Sequence, residues 1–171
     1  MGFSWKSAFL FQARSDFRLL QLLNRSGSVE LCHRLHYLQM VSEKLAKSFQ
    51  SKGGKPPRTT HKAFVDFLRF AQHRKDLEAV CGYSGRTKQF RAHVNSLLSV
   101  AKAIEDLAPS SRNQLANPEY PWEEKQIVSS RRTVSVIQAP ADFSFGYLDM
   151  RSLGMIRIMR FIESCLRWGK N

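Results

Sequence analysis

The chain is poor in the residues that would let it be anything other than a folded, reduced, water-exposed protein. It has three cysteines, Cys32, Cys81 and Cys165, an odd number set far apart. That excludes a disulfide framework and fits a reducing compartment, with the three read as small core residues. No apolar run approaches the roughly 20 residues needed to cross a bilayer. The N-terminus carries Lys6 where a myristoylation signal needs Ser or Thr, and the apolar stretch after it is broken by Gln12, Arg14 and Asp16 with no small-residue cleavage site. The expectation is a soluble cytoplasmic protein without a membrane partner. Glycine-rich phosphate loops are missing as well: Gly53-Gly54 sits among Lys and Pro and fits neither a nucleotide-triphosphate nor a dinucleotide pattern, so no cofactor is expected. There is no nucleophile elbow.

Acidic residues are scarce too, 14 against 27 Lys and Arg in 171 residues, for a net charge of +13. Polyanions are the natural partners of such a chain, because phosphates binding to Lys and Arg release counterions. The excess is spread out: basic and acidic residues number 10 and 3 over Met1–Thr60, 8 and 5 over His61–Ala108, and 9 and 6 over Pro109–Asn171. No detached basic arm exists. With 43% hydrophobic residues and twelve Phe, the chain is too apolar to be a disordered tail.

What is present is helical periodicity. Trp5, Phe9, Ala13, Phe17, Leu20 and Leu23 step by three or four, predicting a helix over Ser4–Leu23. Ser28 is an N-cap candidate for a second helix, with Glu30 in its first turn and Leu31, Leu35, Leu38, Val41, Leu45 and Phe49 as its stripe to about Gln50. A third helical stretch covers about Thr60–Val80 and has a weak point at His73-Arg-Lys-Asp76. The fourth is the most regular, with Phe90, Val94, Leu97, Ala101, Ile104 and Ala108 on one face up to Pro109. The period then disappears until about Gly146, although the β-branched residues flanking Ser129-Ser-Arg-Arg132 fit a small hairpin. A last helix is expected over Asp149–Trp168, capped by Asp149, with Leu153, Ile156, Met159, Ile162 and Leu166 as its stripe and Met155, Ile158 and Cys165 widening it. The predicted fold is all-α: one domain over residues 1–171, an antiparallel bundle of four or five helices with an irregular insertion at about 110–146 before the last.

Cys32 and His36 stand four apart, as two metal ligands would, but no second Cys/His pair stands near them in sequence, so no metal site is assigned. The run Cys32–Lys47, with Glu43-Lys44-x-x-Lys47 at its end, a loop and then His61, together with Gln12-Ala-Arg-Ser-Asp16-Phe on the first helix and Glu119-Tyr120-Pro121 ahead of the last, resembles the HEPN family of small helical domains. The resemblance implies a helical bundle that commonly dimerises, binds RNA or nucleotides, and is often the toxin-like partner of a nucleotidyltransferase-type protein in toxin–antitoxin pairs. Ribonucleases of the family carry Arg, four to six residues, then His. Arg86 and His93 satisfy that spacing, and by the resemblance would be a metal-independent catalytic pair, His as general acid or base and Arg on the phosphorane charge. The sequence departs from the pattern in two places: Glu119 replaces the Arg of the family's Arg-Tyr-Pro, and the last helix has no His. The preferred expectation is therefore a homodimeric domain that binds RNA, nucleotide or a partner protein with little or no catalysis.

The densest cationic stretch, Lys44, Lys47, Lys52, Lys55, Arg58 and His61, is the first place to look for phosphate contacts, against the plainer reading of a solvated helix end. The arginines of the last helix, Arg151, Arg157, Arg160 and Arg167, are the second.

Overall fold

The computed structural model describes residues 4–51, 55–57, 63–108, 118–119, 122–129, 132–146 and 148–168. Six α-helices and one two-stranded sheet stand among them: α1 (Trp5–Arg25), α2 (Leu31–Gln50), α3 (Phe64–Ala71), α4 (Lys75–Val80), α5 (Thr87–Asp106), β1 (Trp122–Ser129), β2 (Arg132–Gln138) and α6 (Leu153–Trp168). The chain is thus mostly helical but not purely all-α. No helix among the described residues is long and apolar enough to cross a membrane.

The α1/α2 pair is the framework. Ser26–Glu30 is too short a link for anything but an antiparallel return, and Phe9 facing Lys47 while Asp16 faces Lys44 gives the same sense. Ser4 caps α1 by accepting a hydrogen bond from the Ser7 amide at 3.1 Å. The buried stripe of α1 is Leu10, Ala13, Asp16, Phe17 and Leu20, so the expected stripe is shifted: Trp5 lies 46% exposed at the start of the helix. Ser28 does not cap α2. Glu30 occupies the N-cap position, and the Ser28 hydroxyl meets that of Ser26 instead. Leu35, Leu38, Val41 and Leu45 of α2 are fully buried, and α2 touches α1, α3, α5 and α6, which makes it the central helix.

The third helical stretch breaks where polar residues interrupt its stripe, at Gln72–Arg74, giving α3 and α4. The α3 start lacks a capping side chain of its own. Glu105 of α5 supplies one, its Oε1 accepting the Phe64 and Val65 amides at 2.6 and 2.9 Å. On α5, Phe90, Val94, Leu97, Ala101 and Ile104 are fully buried, as their spacing requires. A Cβ on Gly154 would come within 2.8 Å of Val100 Cγ2, so a larger residue there requires the Val100 side chain or the α5/α6 approach to shift.

Helix α6 differs from expectation in two respects. Asp149 caps a preceding turn, accepting the Arg151 amide at 2.9 Å, and it is Ser152 that accepts the Met155 amide in the first turn of α6. The inward face is Met155, Ile158, Phe161, Ile162, Cys165 and Leu166, while Leu153 is 61% exposed. Arg14 of α1 ties down the far end, donating from Nε and Nη2 to the Leu166 carbonyl at 3.0 and 2.8 Å, a cation placed at the negative end of the helix. The segment that lacks helical period holds the hairpin: β1 and β2 pair antiparallel with Glu124 opposite Val136 and Gln126 opposite Val134, and Ile127, Val128 and Ile137 remain exposed. A 3-10 turn, Pro140–Asp142, leads back to the bundle, where Phe145, Leu148 and Met150 enter the core.

Candidate functional site

The short helix α4 ends in a turn whose hydrogen bonds place two side chains of the site. The Tyr83 amide donates to the Glu78 carbonyl and the Gly82 amide to that of Ala79, with Gly82 at φ 78°, the pattern of a helix closed by a left-handed residue. A side chain at position 82 would be strained there. Cys81 and Tyr83 are thereby turned toward α5 and α6. From α5 come His93 and Ser96, three apart, and from α6 come Arg157, Arg160, Phe161 and Ser164, one helical stripe. Together they line a cavity of about 470 Å³. Among the described residues, no carboxylate lies in its wall.

His93 is half-buried, stacked on Tyr83 with ring centroids 5.4 Å apart and tilted against Phe161 at 6.4 Å. Its ring nitrogens have no hydrogen-bond partner among the described residues. Burial first, and the charge of Arg157 second, push its pKa below the ordinary histidine value, so the imidazole is neutral at pH 7. Arg157→Gln is expected to raise that pKa while leaving it below an exposed histidine's, because burial is the larger cause. An NMR titration of the imidazole reads this directly, and an unchanged or lowered pKa would contradict the arrangement. Arg157 and Arg160 are exposed and make no ion pair or hydrogen bond among the described residues.

Arg160 also lines a second hollow of about 540 Å³ with Arg25, Arg34 and Arg151, against apolar Phe17, Met150, Ile156 and Met159. Asn24 Oδ1 and Arg34 Nε are buried there without hydrogen-bond partners. One acidic residue, Glu163, stands in this second wall. The two hollows form a cationic face centred on α6.

The other candidates fall elsewhere. Arg86 does not line the His93 cavity: its guanidinium lies 5.3 Å from the Tyr83 ring centre and donates to the Gly82 carbonyl, so it braces the turn. Lys44 is bound to Asp16 at 2.5 Å and Lys47 to Glu43 at 2.5 Å, all four side chains largely covered. Gln12 and Gln39 add hydrogen bonds to the same carboxylates. These two lysines neutralise largely covered acids rather than offering charge to a ligand. Lys55 is exposed in the loop after α2, while Lys52, Arg58 and His61 lie outside the described residues. The structure therefore joins His93 to the arginines of the last helix and separates it from Arg86. The i, i+3 spacing of Arg157 and Arg160 was visible in the sequence; their approach to a histidine 64 positions earlier depends on α5/α6 packing. Compared with family models, curated proteins and solved structures, the chain finds no match.

Proposed function

We propose that this chain is a HEPN-like helical domain that binds phosphate groups of RNA or nucleotides in the His93 cavity and does not cleave them. The observation that supports this reading is the meeting of His93, Arg157 and Arg160 around a hollow without an acidic residue. Two guanidiniums unpaired among the described residues offer forked donors matched to phosphate oxygens, and Ser96 and Ser164 add hydroxyls. Metal-free cleavage needs an acid to protonate the leaving 5′ oxygen as well as a base for the 2′ hydroxyl. Neutral His93 suits the base, but among the described residues the wall holds no second imidazole or carboxyl group to serve as the acid.

Single-stranded RNA incubated with the purified protein in EDTA separates binding from catalysis. The expected result is a retarded but intact RNA, with binding weakened in His93→Ala. Cleavage that vanishes in His93→Ala would replace this reading with a metal-independent ribonuclease, and failure to bind any polyanion at about 0.15 M salt would remove RNA from the account.

A further inference from the structure

The cysteines carry an inference independent of what the cavity binds. Cys32 and Cys165 are buried core residues, but Cys81 is only partly covered, and it stands on the wall of the His93 cavity at the end of α4. Its neighbour there is Cys165 of α6, which is fully enclosed. The pair is therefore asymmetric: Cys81 is partly open to the cavity and Cys165 is enclosed. Electrostatics point the same way. The Cys165 thiol and then the charge of Arg167 lower the Cys81 pKa against the opposing effect of burial, while enclosure holds Cys165 high and burial raises Cys32. The thiol with the lowered pKa at the more open position is the reactive one of the three, and buried thiols are inert.

We propose that Cys81 is a peroxide-reactive thiol and that Cys165 resolves its sulfenic acid into a disulfide joining the end of α4 to α6. In the first step the Cys81 thiolate attacks one peroxide oxygen. The S–O bond forms, the O–O bond breaks, and the departing hydroxide takes a proton from solvent; sulfur is oxidised by two electrons and the peroxide reduced to water. In the second, the Cys165 sulfur attacks the Cys81 sulfur, the S–S bond forms, and the hydroxyl leaves as water with the proton from Cys165. The disulfide alters the Cys81 wall beside His93 and fixes the turn that carries Tyr83.

The test is hydrogen peroxide treatment of the full chain followed by intact mass and a non-reducing peptide map. The expected product has lost two hydrogens, with the Cys81 and Cys165 peptides joined and Cys32 still alkylatable after denaturation; loss of the Cys81 thiol is expected at least about tenfold faster than that of Cys32. Cys165→Ala is expected to stop at a sulfenic acid on Cys81 that dimedone traps, and Cys81→Ser to give neither product. Oxidation that begins at Cys32, or a wild-type Cys81 that gains oxygen without forming the cross-link, would overturn the proposal. The wild-type map reads the cross-link without relying on the folding of any variant.

Discussion

Replacing Arg157 and Arg160 together by Glu is expected to lower the affinity for single-stranded RNA by about 10² to 10⁴-fold at physiological salt, with little change in melting temperature. Each charge-assisted hydrogen bond to a phosphate is worth about 1.5–3 kcal/mol, so losing two removes about 3–6 kcal/mol. Stability should be spared because both side chains are exposed and neither is paired within the described fold. The lysines of α2 behave in the opposite way. Lys44→Ala leaves Asp16, a largely covered carboxylate, with Gln12 as its remaining partner among the described residues, so its cost falls on folding. Affinity and melting temperature measured on both variants separate a binding surface from an internal charge pair. Equal loss of RNA binding in the two, or none in the first, would be inconsistent with a site on α6.

Glu105→Ala is expected to destabilise the fold by about 2–4 kcal/mol, since it leaves the Phe64 and Val65 amides buried without an acceptor at the start of α3. Glu105→Gln should behave differently, because its amide oxygen can still accept both bonds. Burial raises the Glu105 pKa, outweighing the two backbone hydrogen bonds that lower it. The folded protein therefore holds this proton to higher pH than the unfolded chain does. By linkage, the contribution of this group to stability is fully present below the unfolded carboxyl pKa of about 4.3 and declines as pH rises through the higher folded value. Glu105→Gln removes that decline, so at pH 7 it should match or exceed the wild type while Glu105→Ala falls below both. Denaturant titrations of the three proteins at acid and neutral pH give the comparison; a Gln variant as unstable as Ala at pH 7 would refute the burial argument.

What could be read from the sequence follows from the range of the interactions involved. The stripe on α5 was legible because Phe90, Val94, Leu97, Ala101 and Ile104 face a single core, and helical spacing alone dictates which residues go inside. On α6 apolar residues surround most of the helix, so periodicity could not choose among faces; packing against α5 and α1 put Met155 and Ile158 inward and left Leu153 in solvent. The N-caps moved by a few residues for a local reason: several polar side chains before α2 and α6 can serve, and small differences in turn geometry decide. Charge was the hardest to read. Lys44 and Asp16 lie 28 positions apart, and it is the α1/α2 pairing that commits Lys44 to neutralising a largely covered acid. The same holds for the site: His93 and the arginines of the last helix were each visible, but Arg86 is the nearest arginine to His93 on the family's spacing while Arg157 is the one beside it in space.

The most direct measurement of the phosphate-binding claim is the His93 imidazole titration, followed by NMR with and without a short oligoribonucleotide at saturating concentration. A phosphate held by Arg157 and Arg160 beside the ring adds negative charge and an acceptor that favours the imidazolium, so binding should move the His93 pKa upward from its lowered free value. An oligonucleotide that binds and leaves the His93 titration unchanged would contradict the account, because the phosphate would then lie elsewhere on this basic chain.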